Sequence, residues 1–155
     1  MLPNDHTDTL NILFFRLRNI SEDTFKQSSH IKMLNLADNL LEHIDQAAFE
    51  PLKHLKALRL DNNRIHDLNG LLTTQHHLQW LNVSSNHLQW FDYAFIPKSV
   101  LWLSLRRNKI EELGNYYKME GFQLTHIDMG HNFLTRLDRQ ALQPSLKEVK
   151  ILQRY

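Results

Sequence analysis

Ten histidines and no cysteine raise imidazole chemistry first, either metal ligation or proton transfer at a catalytic centre. The nearest thing to a cluster is His76-His77 with His87 ten residues on. No HExxH occurs, and no second ligand sits at helical i, i+4 spacing with a carboxylate at hand. A GxSxG elbow, a P-loop and a dinucleotide-binding glycine fingerprint are also missing. Four glycines in the whole chain leave little material for loops that cradle phosphate. The reading is no catalytic residue, no metal and no cofactor, hence a binding protein rather than an enzyme.

A different set of side chains recurs at fixed spacing instead of clustering. Aligned on their first apolar position, five segments read Ile31-Leu34-Leu36-Asn39-Leu41, Leu55-Leu58-Leu60-Asn63-Ile65, Leu78-Leu81-Val83-Asn86-Leu88, Val100-Leu103-Leu105-Asn108-Ile110 and Leu124-Ile127-Met129-Asn132-Leu134. They start 22 to 24 residues apart. This is the LxxLxLxxNxL frame of a leucine-rich repeat. Upstream, Thr7-Leu10-Ile12-Phe15-Leu17 keeps the spacing with Phe15 in place of the asparagine. Downstream, Leu146-Val149-Ile151 keeps the strand, Arg154 takes the asparagine position, and the chain stops at Tyr155.

The expected fold is therefore α/β: a leucine-rich-repeat solenoid, or horseshoe, with a concave parallel β-sheet and an irregular or short-helical convex side. One domain is expected over residues 1–155, with about seven repeats. Five clear repeats span residues 31–145, a degenerate first repeat residues 7–30, and a truncated last repeat residues 146–155. The asparagines sit where the chain turns after each strand, and a primary amide there both donates to and accepts from backbone groups of adjacent turns. Asn39, Asn63, Asn86, Asn108 and Asn132 should form a structural ladder, with Asn69 outside the frame. Later in each repeat, the pairs Leu41/Ile44, Ile65/Leu68, Ile110/Leu113 and Leu134/Leu137 should close the coil. Phe25, Phe49, Phe95 and Leu142 should stack as a second apolar spine.

Positions between the inward leucines face out and align into rows across the sheet. One row runs Met33, Ala57, Trp80, Trp102, His126, which makes Trp80 and Trp102 neighbours on the concave face. Paired outward tryptophans either anchor a partner or shield one another and nearby aliphatic stems. A second row reads Asn35, Arg59, Asn82, Ser104, Asp128. Beyond it lie Ala37, Asp61, Ser84, Arg106, Gly130 and Asp38, Asn62, Ser85, Arg107, His131. Arg106 and Arg107 would either grip a partner's carboxylate beside the tryptophans or remain a solvated face. The partner-binding candidates are Trp80, Trp102, Arg106, Arg107, Arg59 and His126. Two N-x-S/T sequons, at Asn19 and Asn82, are candidate N-glycosylation sites if the chain is secreted. A glycan on Asn82 would obstruct the tryptophan patch.

Charge is nearly balanced, at 18 Lys+Arg against 17 Asp+Glu, so no field favours nucleic acid or an anionic membrane. No run reaches the roughly 20 apolar residues of a membrane span, and the N-terminus lacks the pattern of a secretory leader. Leu146, Val149, Ile151 and Leu152 form an apolar edge through which self-association or homodimerisation is expected.

Between Leu78 and Tyr117 the sequence resembles the ectodomains of insect Toll-family receptors, of the Tollo and 18-wheeler branch. The resemblance rests on WFDYAFIP, from Trp90 to Pro97, and ELGNYY, from Glu112 to Tyr117. It implies a segment of a single-pass receptor whose extracellular repeats bind protein ligands and whose cytoplasmic TIR domain signals, in innate immunity and development. Such a segment would lie on the extracellular side of the plasma membrane. The cysteine-rich caps, transmembrane helix and TIR domain of that family do not occur within these residues, consistent with a fragment, a truncated product or an incomplete gene model. The alternative is a cytosolic leucine-rich-repeat scaffold or adaptor.

Overall fold

The structure, a computed structural model, describes residues 8–68, 70–114, 121–137, 142 and 145–151. Thr7, Asn69, Gln140, Leu152, Arg154, Tyr155 and the last three residues of ELGNYY lie outside them.

Each repeat frame yields one three-residue strand, and the repeats add short strands on the other side of the coil. In chain order these are β1 (Thr9–Asn11), β2 (Asn19–Ile20), β3 (Met33–Asn35), β4 (His43–Ile44), β5 (Ala57–Arg59), β6 (Trp80–Asn82), β7 (Trp90–Asp92), β8 (Trp102–Ser104), β9 (Glu112–Gly114), β10 (His126–Asp128) and β11 (Glu148–Lys150). Seven of them form one parallel sheet in the order β1-β3-β5-β6-β8-β10-β11. β2 pairs with β4, and β7 with β9, as separate two-stranded parallel pairs. The helical content of the described residues is a single 3₁₀ turn, Tyr93–Phe95. This is the parallel-strand coil of a leucine-rich-repeat solenoid.

The core is the leucine frame itself. All the frame residues of the five central repeats are buried, from Ile31 to Leu134. In the first and last repeats Leu10, Ile12, Leu17, Leu146, Val149 and Ile151 pack against this core while staying partly exposed. The alternation that buries Leu34, Leu58, Leu81, Leu103 and Ile127 turns their flanking residues to the concave surface.

What fastens one turn of the coil to the next is the buried asparagine. Asn63 Nδ2 donates to the Leu36 carbonyl of the preceding turn at 3.0 Å, and to Leu60 of its own turn at 3.0 Å. Its Oδ1 accepts from the Leu41 amide at 2.9 Å. Asn86 repeats the pattern on Leu60 and Ile65, Asn108 on Val83 and Leu88, and Asn132 on Leu105 and Ile110. Asn39 reaches back to the Ile12 carbonyl at 2.8 Å and accepts from the amides of Phe15 and Leu17. These groups are interior and beyond the reach of the sheet ladder, so without the amide they would lack partners. Phe15 has no amide to give, and its ring is exposed.

The residue before each ladder asparagine adopts the left-handed conformation. Asp38, Asn62, Ser85, Arg107 and His131 have φ between 54° and 57°. That conformation costs a non-glycine residue about 1–2 kcal/mol, and it turns the chain sharply into the asparagine. The amides of Asp38, Asn62, Ser85 and Arg107 each bond a carbonyl of the following repeat. At the strand ends, Asn35, Asn82 and Asp128 accept through Oδ1 from the amide two residues on, which sets up the turn.

Several sequence expectations shift here. Phe25 and Phe49 are buried with ring centroids 6.0 Å apart, but Phe95 and Leu142 are only partly buried. The 3₁₀ turn rotates Phe95 outward onto Trp90, at 5.1 Å and 81°, and Ile96 takes the inward place. Leu137 is 40% exposed, and no second-side strand forms around it among the described residues. Phe91 and Tyr93 belong to the core, although only Phe91 carries a sequence signal, standing at the offset of Ile44, Leu68 and Leu113.

On one flank His66 and His87 meet edge to face, with ring centroids 5.2 Å apart. Partial burial holds His87 below the ordinary imidazole value, and Lys109, His66 and Arg64 lower it further against the opposing pull of Glu42. The fold therefore favours the neutral ring. Unfolding takes up a proton once pH falls below the ordinary value of about 6.5, so this contribution is full above that pH and declines beneath it.

Two stability measurements follow. Asn63→Ala or Asn108→Ala should each cost about 1–3 kcal/mol in denaturant unfolding, with the exposed Lys53→Ala near zero. Equal losses at all three sites would remove the ladder as their cause. His87→Gln should flatten the fall in Tm between about pH 7 and about pH 5, and an unchanged slope would assign that fall to other groups.

Candidate binding surface on the concave sheet

Strand register places the outward residues. Across the seven strands Thr9, Met33, Ala57, Trp80, Trp102, His126 and Glu148 are direct neighbours in one row. Asn11, Asn35, Arg59, Asn82, Ser104, Asp128 and Lys150 form the next.

Within the first row Trp80 and Trp102 stack face to face, with ring centroids 4.6 Å apart and planes 4° from parallel. The separation matches the roughly 4.8 Å between adjacent strands, so the rings rise side by side from the sheet without leaning. Both are half-buried, and each covers one face of the other. His126 follows Trp102 in the row, with Nε2 3.8 Å from Glu148 Oε2 and Nδ1 2.8 Å from Thr125 Oγ1.

The opposite side of Trp80 differs. Its neighbour Ala57 brings only a methyl, and the next residue, Met33, is 50% exposed. A recess of about 400 Å³ opens there, lined by Thr9, Asn11, Met33, Asn35, Ala57, Arg59 and Trp80. Arg59 lies beside it, fixed by a bidentate pair to the buried Asp61: Nε to Oδ1 at 2.9 Å and Nη2 to Oδ2 at 2.8 Å. The hydrogen bond to Asp61 raises the pKa of this guanidinium, which stays charged at any physiological pH.

Arg106 and Arg107 follow β8, the strand that carries Trp102. Arg106 turns to the next repeat. Its Nη2 is 2.8 Å from His131 Nε2, and its Nη1 is 3.9 Å from Asp128 Oδ2. At the Arg–His contact the guanidinium is the donor, so Nε2 is the unprotonated, accepting nitrogen. Arg107 occupies the left-handed turn past the strand and is exposed. Ala37 and Asp61, which the row pattern would expose, are buried because the chain curls inward at the strand ends. Ala57, placed in the outward row by the sequence but not counted among the binding candidates, lines the recess beside Trp80, and its small size is the signal.

The two sequons differ in setting. Asn19 opens β2, is exposed and lies on the side of the coil opposite the large sheet. Asn82 is half-buried on the concave face next to Trp80's strand end, with Oδ1 engaged by the Ser84 amide. Among the described residues no three metal-binding side chains converge, and no helix is long and apolar enough to cross a membrane.

Comparison with known proteins places this geometry. Over 82 residues the chain is 38% identical to Toll-like receptor 7 of Drosophila melanogaster, an alignment that takes in 52% of this chain and 6% of that protein. A chain of the solved Toll–Spätzle complex of Drosophila superposes with TM-score 0.77 at 24% identity, over 91% of this chain and 20% of the other. The functional domain of InlJ from Listeria monocytogenes superposes with TM-score 0.63 at 18% identity, over 92% of this chain and 34% of the other. At these identities the two structures report on the fold alone. The chain spans a small part of each of these relatives. The family model described as "Leucine rich repeat" matches residues 5–65 and 38–88, which together cover more than half of the chain. With the asparagine ladder and the parallel sheet already in view, the chain belongs to the leucine-rich-repeat family.

Proposed function

We propose that this chain is a protein-binding segment of a Toll-like receptor ectodomain, and that it engages its partner through the concave sheet around Trp80 and Trp102. The observation that carries the reading is the stacked tryptophan pair, held outside the core on a rigid sheet. Aromatic side chains presented in this way bring large contact area at low cost in conformational entropy, which is why they dominate interface energetics. Arg59 and His126 flank the pair on the same sheet. Arg106 and Arg107, past the end of β8, contribute to the rim, with Arg106 already tied to His131 and Asp128.

The similarity to Toll-like receptor 7 supports an extracellular setting and a role in receptor signalling. WFDYAFIP and ELGNYY point within that group to the Tollo and 18-wheeler branch. In that setting Asn19 accepts a glycan without touching the large sheet, whereas a glycan on Asn82 would crowd the tryptophans. The structural relative was solved with Spätzle, which makes Spätzle one ligand to test.

The test is a panel of secreted insect proteins, Spätzle included, passed over the immobilised chain in a surface-binding assay. A specific binder should lose about 2 kcal/mol or more with Trp80→Ala or Trp102→Ala, while the exposed Glu50→Ala leaves affinity unchanged. If the tryptophans serve only as structural cover, both substitutions lower Tm and affinity per folded molecule does not move. That result, or binding that survives the double substitution, moves the site off this face.

A further inference from the structure

The central row of the sheet is a stack of side chains, one layer per strand. Trp80 and Trp102 fill adjacent layers at a 4.6 Å spacing, and His126 fills the next. On the other side the layer belongs to Ala57, and the one beyond it to Met33. Met33 and Trp80 are therefore two strand steps apart, about 9.6 Å, with only a methyl between them. This is the spacing that one further ring, stacked on Trp80, would occupy. The recess of about 400 Å³ here is at the small end of the range for ligand sites, about 300–1,000 Å³. Its walls are one thioether and one indole face, both suited to an aromatic group.

The polar rim narrows the occupant. Of the five N–H donors of a guanidinium, Arg59 spends two on Asp61. The rest sit on a side chain that is 44% exposed. Asn35 donates to Asn11 Oδ1 and accepts from the Ala37 amide. The rim thus offers the donors of Arg59, together with the hydroxyl of Thr9 and the engaged amides of Asn35 and Asn11. The charge of Arg59 is nevertheless already offset by the bidentate Asp61 carboxylate. A donor-rich rim with its charge already balanced is complementary to neutral acceptors, which are what the carbonyls of an extended peptide provide.

We propose that the Ala57 layer receives an aromatic side chain from an extended segment of the protein partner, stacked on Trp80, with that segment's backbone carbonyls accepting from Arg59. This rests on the reading that the concave face binds protein, and it names the element of the partner that is recognised.

The probe is N-acetyl-phenylalaninamide, a single aromatic residue with neutral acceptors, titrated into the full chain carrying ¹³C-labelled methionine and alanine methyls. Ring-current shifts should appear at the Met33 and Ala57 methyls and saturate with a dissociation constant on the order of 1 mM. N-acetyl-leucinamide should bind at least about threefold more weakly, since it cannot stack. Ala57→Leu fills the layer from an outward position and should weaken binding at least about tenfold with Tm unchanged. Should that variant melt early, Ala57→Met, which copies the residue at the same place in β3, replaces it. Absence of saturable shifts at the two methyls, or unchanged binding in the filled variant, overturns the proposal. N-acetyl-phenylalanine, with its free carboxylate, should bind no tighter than the amide, and a tenfold gain would overturn the assignment of neutral acceptors. A protein partner that loses affinity with Trp102→Ala but not with Ala57→Leu leaves the concave-face reading standing and removes this one.

Discussion

The fold depends on one interaction repeated along the chain: a buried primary amide spanning two turns of backbone. The strands of the large sheet are three residues long, too short for their own ladder to define a stable object. Leucine burial supplies the driving force but is indifferent to direction, since one aliphatic side chain packs on another in many arrangements. The asparagine supplies direction. It accepts from one amide and donates to one carbonyl of the turn before it, at positions that only the correct register brings within about 3 Å. Everything on the concave surface inherits its precision from that register. The 4° tilt between Trp80 and Trp102 goes with β6 and β8 being held in step by Asn108.

The concave face divides into unlike halves. From Trp102 onward the charged residues largely satisfy one another: Arg106 with His131 and Asp128, His126 with Glu148, and Lys150 with Glu148. From Trp80 back to Thr9 the surface is more apolar and more open, with Met33 exposed and Ala57 leaving room. A partner gains more by covering the second half, where apolar area goes out of contact with water and few ion pairs must be broken.

Much of this was legible in the residues because the period-two alternation of LxxLxL assigns each strand position a face. Once the frames are aligned, the row Met33, Ala57, Trp80, Trp102, His126 follows without further assumption. What was not legible came from side-chain reach and from single-residue shifts. Nothing local in the sequence says that Arg106 turns toward the following repeat, because its partners Asp128 and His131 are more than twenty residues away. The exchange of Phe95 for Ile96 comes from a 3₁₀ turn, which advances the chain differently from the bends in other repeats. Ala57 stood in that row without counting as a binding candidate, because pattern reading weighs what a side chain brings, and here its small size leaves the room.

The bridges also determine how the molecule bears tension. Drawn along the axis of the coil, its turns are joined in series, and each of the first five junctions holds by short parallel strand pairing, one side-chain amide and a layer of leucine contacts, with a second strand pair at two of them. The load is the same at every junction, so the weakest yields first and lengthening proceeds in discrete steps of one repeat. Pulled across the sheet instead, the same bonds share the load in shear and resist together. Trp80 and Trp102 stand on successive turns, so their 4.6 Å stacking crosses one of these junctions and opens when that junction does.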